Sequence, residues 1–390
     1  MHRSSRLPEL TEPNALTRRL QELRAEGREI LDLTVSNPTV CGFDYPEHRI
    51  REALSRPEVL RYAPEARGLR AAREAIAAHH GHGVRAEDIL LTASTSEAYA
   101  LLFKLLGDPG DEVLVPSPSY PLFEWLARLE GMAAHGVPAY FHEGWHLDLG
   151  AMEAALTPRT RAVVVVNPNN PTGAYLRRGE WAELCRLCDR HGLALLVDEV
   201  FAPFPIEPDD DHLPTALEDT DPPCPVFVLS GLSKLALLPQ VKLGWIIARG
   251  QAAQERLEDL DFLADQYLSV SASAQAAAPE LLALAPELRA QALARARGNL
   301  ATLDAILAEH PSLSRLPVGG GWSALLRRPA LDSDEACALR LLESEGVLAF
   351  PGHFFDLPAA GYLVLSLLTA PGSFQAALRK AAGTIAKPLP

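Results

Sequence analysis

Six short, almost continuously apolar runs recur along the first two thirds of the chain, and most are separated by stretches with helical periodicity. They are DILLTA (88–93), DEVLVPS (111–117), RAVVVVN (161–167), ALLVDEV (194–200), VFVLSG (226–231) and LGWIIA (243–248). A strand with one wet face alternates apolar and polar residues; a strand apolar throughout has both faces covered, as in a parallel sheet between layers of helices. Strands that alternate with helices therefore predict an α/β domain with a mostly parallel sheet.

An Ala/Leu/Glu/Arg-rich stretch from about Ala276 to Glu309 reads as a long helical region interrupted at Pro279 and Pro286, because proline lacks the N–H that a helix needs. Beyond it, SRLPVGGGWSALLRR and GYLVLSLL read as strands of a smaller α+β unit that the N-terminal segment joins. The expected division is a large domain over 45–280 and a small one built from 1–44 and 281–390. A chain of 390 residues has ample length for two cores.

With 48% hydrophobic and 22% charged residues the chain is of ordinary globular type. Its formal net charge of -14, without a basic patch, argues against nucleic acid and anionic membrane surfaces as partners. The N-terminal residues lack the apolar segment of a signal peptide, and no run approaches a membrane span, so a cytoplasmic location is expected. Cys41, Cys185, Cys188, Cys224 and Cys337 are odd in number and scattered, which opposes a disulfide framework. Cys185 and Cys188 form a C-x-x-C on a helical pattern and read as buried helix thiols. Gly81, Gly83 and Ala86 match G-x-G-x-x-A but follow a helix where a dinucleotide site needs a strand. His79, His80 and His82 read as a polar helix end, and Asp209, Asp210 and Asp211 as a solvated loop.

Only five of the 36 basic residues other than histidine are lysines, yet Lys234 and Lys242 stand eight apart in the apolar segment VLSGLSKLALLPQVKLGW. A lysine desolvated at a strand end has its pKa lowered, and the neutral amine can form a Schiff base. Three further strand ends carry groups suited to a charged cofactor. In LLTASTSEAY, the hydroxyls of Ser94, Thr95 and Ser96 open a helix, where backbone N–H groups also favour an anion; Ser94 and Glu97 equally have the spacing of a capping box. VVVVNPNNPTG ends a buried strand in a turn with two amides, Asn169 and Asn170, either of which could donate to a phenolate oxygen. Asp198, after five apolar residues, is costly to desolvate unless a cation such as a protonated ring nitrogen pairs with it. Ligands in parallel sheets bind at the carboxyl ends of strands, so these segments can converge on one cleft.

The order Ser94-Thr95-Ser96, Pro118-x-Tyr120-Pro121, Asn167-Pro-x-Asn170-Pro-Thr-Gly, Asp198-Glu199 and Ser233-Lys234 resembles the class I/II aminotransferases of fold type I, which use pyridoxal phosphate (PLP). That resemblance implies a mostly parallel seven-stranded sheet flanked by helices, a smaller α+β domain and a homodimer with shared active sites. It implies transfer of an amino group from an amino donor to a 2-oxo acid. Lys234 would hold PLP as its Schiff base and then move a proton; Asp198 would pair with the pyridinium nitrogen; Tyr120 would stack on the ring. Asn170 would donate to the ring oxygen O3′. Ser94, Thr95, Ser96, Ser230, Ser233 and Lys242 would surround the phosphate, and Tyr62 would reach the phosphate of the neighbouring subunit. The same cofactor also serves β-elimination, decarboxylation and racemisation, and a PLP-binding protein without turnover is a further alternative.

The chain departs from the family pattern at four places. Lys242 replaces the usual arginine at the phosphate, Phe201 replaces a tyrosine that donates to O3′, and Gly231 replaces a serine, with Ser230 one place off. Val364 stands where the family has the arginine that grips the substrate carboxylate. Arg67 and His353 are the candidate replacement cations, and Asn37 and Trp322 are expected to face the substrate as well.

Overall fold

The computed structural model describes residues 3–8 and 12–385. In chain order the strands among them are β1 (Leu31–Asp32), β2 (Ile89–Thr92), β3 (Glu112–Ser117), β4 (Ala133–Phe141), β5 (Trp145–Leu147), β6 (Thr160–Val166), β7 (Ala194–Asp198), β8 (Val226–Gly231), β9 (Gly244–Arg249), β10 (Ser314–Arg315), β11 (Ser323–Arg327), β12 (Val347–Leu348), β13 (Phe350–Pro351) and β14 (Tyr362–Ser366). All six apolar runs form strands of one eight-stranded sheet in the order β2-β9-β8-β7-β6-β3-β4-β5. The pairs β8–β7, β7–β6, β6–β3 and β3–β4 are parallel, and β9 runs antiparallel to both β2 and β8.

Burial on both faces is visible residue by residue. Val163, Val165, Leu195, Val197, Val226 and Val228 belong to one apolar cluster, and their neighbours Ala162, Val164, Ala194, Leu196, Phe227 and Leu229 belong to another across the sheet. The strand beyond the expected seven is β5, three residues antiparallel to β4 at the sheet edge. The sequence did not present β4 as a strand because this near-edge element buries only Val137.

The region expected to be interrupted at Pro279 and Pro286 is one continuous helix, Ala272–Leu307. Its apolar side, including Ala277, Ala278, Leu281, Leu284, Ala285 and Leu288, is buried, whereas Pro286 is exposed and Pro279 partly so. Packing of that buried side outweighs the hydrogen bonds the prolines cannot make. The helix contributes to two cores: Leu288 and Ala292 join the cluster on the large sheet, and Ala296, Leu300 and Leu303 join a second one.

That second core lies against a four-stranded sheet of order β10-β11-β14-β13, while β1 pairs in parallel with β12 and ties the N-terminal segment to it. Leu363 and Leu365 of β14 face the helices through Phe374, Ala377 and Leu378. Val364 faces the other way, into a cluster with Leu325, Leu316, Phe355, Leu357 and Trp145. The outer face of the small sheet is thereby pressed on the large sheet's edge.

Candidate active site

One edge of the large sheet gathers the carboxyl ends of β2, β3, β6, β7 and β8 and, because β9 is antiparallel, the start of β9. Each segment singled out for chemistry follows or precedes one of these ends.

Every residue of β7 is buried, and Asp198 at its end is 8% exposed. Its carboxylate accepts from the Tyr99 hydroxyl at 3.0 Å and from the Val200 N–H at 3.1 Å. Burial pushes its pKa up to about 6, against the opposing pull of these two bonds and of the Lys234 charge. Tyr99 lies on the helix Thr95–Leu106, and its own hydroxyl is pushed well above the usual range by burial and then by the neighbouring carboxylate. Sequence reasoning missed Tyr99. The available signal was a tyrosine on the buried side of a helix next to a buried acid, each needing a polar partner. Glu199 plays a different part, because it holds the loop that follows. Burial raises its pKa to about 7, and its carboxylate accepts from Thr215 Oγ1 and Ala216 N, both at 2.6 Å.

Lys234 sits in the short helical turn Leu232–Leu235 after β8. Its Nζ lies 5.1 Å from the Trp322 ring centre and 5.8 Å from that of Phe201, and the two rings meet edge to face at 5.0 Å. Burial lowers the amine's pKa, and Asp198 partly restores it. Gly231 explains one departure from the family: a Cβ there would lie 2.9 Å from the Leu243 carbonyl oxygen, so the nearby hydroxyl comes from the buried Ser230 of β8.

At the anion end, the Ser94 hydroxyl accepts from the Glu97 N–H at 3.2 Å, and the Glu97 carboxylate accepts from the Ala93 N–H and the Ser269 hydroxyl. Only half of the capping box forms, because the Glu97 carboxylate takes the N–H of Ala93 rather than that of Ser94, and an accepting hydroxyl still has its proton to donate. Thr95 and Ser96 form the helix's first turn. A Cβ on Gly244 would stand 3.0 Å from the Ser94 carbonyl carbon and 3.2 Å from Thr95 N, so β9 begins in close contact with this helix start. Lys242, two residues earlier, is exposed and adopts a left-handed conformation with φ of 58°.

The two consecutive amides divide their work. Asn169 donates to the Pro118 carbonyl and accepts from Thr172, so it holds the turn. Asn170 Oδ1 accepts from Ser323 Oγ at 3.2 Å, and its amide nitrogen has no partner among the described residues. Ser119 N donates to the Phe355 carbonyl at 3.0 Å, and the half-exposed Tyr120 ring stands 6.3 Å from that of Phe355. Tyr62 is 83% exposed and lines an open cavity of 380 Å³ with Glu97, Tyr267 and Ser269, the same Glu97 and Ser269 that support the Ser94 cap. Ser233 is partly buried beside Lys234.

Two substrate candidates are otherwise engaged. Arg67 donates through Nε to both oxygens of Asp261, at 2.7 and 2.8 Å, and through Nη1 to the Glu87 carbonyl, so its fork is spent on tying the β2 entry to the helix Leu257–Asp265. Asn37 is exposed and caps a helical turn by accepting from the Thr39 N–H and hydroxyl. His353 is exposed, edge-on to Phe354 at 4.8 Å and two residues from Phe355.

These residues fit PLP. Asp198 is a buried carboxylate with only neutral donors in hydrogen-bond contact, Lys234 is a desolvated amine, Asn170 has a free amide nitrogen, and the Gly244 contact shapes a helix start suited to a phosphate.

Comparison with known proteins gives the same result. The profile of the family "Aminotransferase class I and II" matches residues 28–371. The chain is 33% identical over 370 residues to the arginine–pyruvate transaminase AruH of Pseudomonas aeruginosa, covering 92% of this chain and 90% of that protein. It is 31% identical over 370 residues to the alanine aminotransferase of Mycobacterium tuberculosis, covering 90% and 84%. Among solved structures, alanine aminotransferase from Pyrococcus furiosus superposes with a TM-score of 0.86 at 26% identity, covering 98% of this chain and 99% of that one. The chain thus belongs to the class I and II aminotransferases, of fold type I, and is a PLP-dependent transaminase.

Proposed function

We propose that Lys234 is the residue that carries PLP and that transamination takes place at the carboxyl edge of the large sheet. The observation that supports this most directly is that a buried carboxylate held only by neutral donors, Asp198 at the end of β7, and an amine desolvated against Trp322, Lys234 just after β8, stand at the same edge of the sheet. PLP supplies the electron-withdrawing ring through which nitrogen passes between donor and acceptor.

The chain's own groups do the rest. Asp198 would keep a proton on the ring nitrogen, with Tyr99 and the Val200 N–H fixing the carboxylate's direction. Lys234, its pKa lowered by burial between Phe201 and Trp322, would take the proton from the substrate carbon and return it. Asn170 would donate to O3′ without help from residue 201, since phenylalanine has no hydroxyl. Tyr120 would cover the ring, and Ser94, Thr95, Ser96, Ser230, Ser233 and Lys242 would hold the phosphate. The substrates named for the curated relatives, arginine with pyruvate and glutamate with pyruvate, are the starting point for substrates here.

Two further assignments belong to this reading. The exposed Tyr62 and Tyr267 around the 380 Å³ cavity support a homodimer in which Tyr62 serves the partner's phosphate. The two cores support a large and a small domain, but not the expected bounds of 45–280 and 1–44 with 281–390, because Cys41, Phe43, Leu281, Leu288 and Ala292 pack in the core of the large sheet. No described helix is long and apolar enough to cross a membrane, and five free, buried cysteines accord with a reducing cytoplasm.

Borohydride reduction of the PLP-loaded protein followed by peptide mapping tests the central assignment. The label is expected on Lys234; finding it on Lys242 overturns the reading.

A further inference from the structure

We infer that Ser323 is a positioning residue for the reaction: acting through Asn170, its hydroxyl aims and strengthens the donor offered to the cofactor's ring oxygen O3′. This role rests on the reading of Asn170 as that donor and deepens it.

A side-chain amide carries an acceptor and a donor on one planar group, and a half-turn about its last bond exchanges them. At Asn170 one end is already taken: Ser323 Oγ donates to Oδ1 at 3.2 Å, with both side chains partly buried. The amide nitrogen is the end without a partner among the described residues. An anionic ring oxygen can use only that end, so the two bonds reinforce each other. A hydroxyl that donates to the amide oxygen also polarises the group and makes its N–H a stronger donor. The neighbouring Asn169 shows the contrast, because the Pro118 carbonyl and Thr172 consume both of its ends. Phenylalanine at 201 has no hydroxyl to offer O3′, so that oxygen depends the more on Asn170.

Close backbone packing delivers Ser323 to this place. It opens β11 of the small sheet, directly after Gly319, Gly320, Gly321 and Trp322. Gly320 N donates to the Gly173 carbonyl and Gly321 N to the Phe204 carbonyl, both at 2.9 Å. The glycine loop therefore lies on the turn that carries Asn170 and on the segment that carries Phe201. A Cβ at Gly320 would stand 2.7 Å from the Tyr175 ring and 2.9 Å from Pro168 Cγ, so any larger residue would push the loop, and Ser323 with it, away from the turn. Two successive residues then address two groups of the large sheet's edge: Trp322 lies 5.1 Å from Lys234 Nζ, and Ser323 bonds Asn170 across 153 residues of sequence. The small domain thereby sets both the surroundings of the amine and the direction of the amide.

The test reads the pH midpoint of the bound cofactor's absorbance in the PLP-loaded enzyme. The ring oxygen and the lysine-bound nitrogen compete for one proton, so weaker donation to O3′ raises that midpoint. Ser323→Ala is expected to raise it by about 0.5 unit or more, with Tm moved by less than about 2 °C. Ser323→Thr keeps the hydroxyl and should restore the wild-type midpoint; a shift as large as that of Ser323→Ala counts against the hydroxyl. An unmoved midpoint in Ser323→Ala overturns the inference, whatever its Tm, since a merely structural role changes only the latter. Asn170→Ala tells the two failures apart. It should raise the midpoint further than Ser323→Ala does, and adding Ser323→Ala to it should raise it no more. Additive shifts would mean that Ser323 acts by another route and overturn the inference. A raised midpoint in Asn170→Ala with an unmoved one in Ser323→Ala sinks the inference alone, whereas an Asn170→Ala midpoint equal to that of wild type sinks the reading of Asn170 as the donor and the inference with it.

Discussion

The Tyr99 hydroxyl donates to the Asp198 carboxylate at 3.0 Å, across 99 residues of sequence, and both groups are buried. The bond places a neutral donor on one carboxylate oxygen while the backbone N–H of Val200 occupies the other. It directs the acid and stabilises its ionised form without cancelling its charge, which is left for a cation in the cleft.

Tyr99→Phe is expected to weaken Asp198 as an anion. A hydrogen bond to a charged group is worth about 1.5–3 kcal/mol, so kcat/KM should fall by a factor of about 10 to 150. The acid limb of the pH–rate profile should move to higher pH, because the lost donor favoured the ionised carboxylate. A purely structural role for Tyr99 would lower Tm and leave that limb in place.

Without cofactor, Asp198 should make the protein less stable as pH rises. Its folded pKa of about 6 exceeds the ordinary value of 3.8, so the folded chain binds the proton more tightly than the unfolded chain does. The stabilisation is complete below about pH 4 and is lost as pH rises through about 6, a change of about 3 kcal/mol. Asp198→Asn should therefore gain stability relative to the wild-type apoprotein as pH rises from about 4 to about 6 and keep that gain at higher pH, as read from urea midpoints at each pH. Loading with PLP should shrink that gain, because the ring cation pairs with the wild-type carboxylate; a gain that is independent of pH rules out the account.

Arg67→Ala should reduce stability and leave substrate choice alone. Its ion pair with Asp261 is partly exposed, with side-chain exposures of 23% and 27%, and is worth about 1 kcal/mol. A Tm lowered by roughly 1 to 2 °C, with an unchanged ratio of kcat/KM for amine and amino acid donors, is the expected outcome. A collapse of amino acid use alone would return Arg67 to the substrate site.

Phe201→Tyr would restore a hydroxyl beside Lys234 and Trp322. A hydroxyl that donates to the ring oxygen stabilises its anionic form without the proton on the lysine-bound nitrogen. The pH midpoint of the bound cofactor's absorbance should then fall. A midpoint that stays or rises would mean that the residue 201 side chain does not reach O3′.

Much of this protein follows from the order of residues alone, because burial on both faces of a strand requires apolar residues in succession. The runs at 161–167, 194–200 and 226–231 therefore announced a covered sheet, and the groups at their ends, Asn170, Asp198 and Lys234, were legible as residues too polar for where they stood. Local pattern failed where burial is slight, as at β4, and where packing overrides propensity, as in the helix that runs through Pro279 and Pro286. It failed also where the question is which donor meets which acceptor. Tyr99 finds Asp198, Ser323 finds Asn170, and Arg67 finds Asp261, 194 residues away. Each pairing depends on strand order and on how a helix or a second sheet docks against it. No local pattern encodes such distances, so only the tertiary structure decided them.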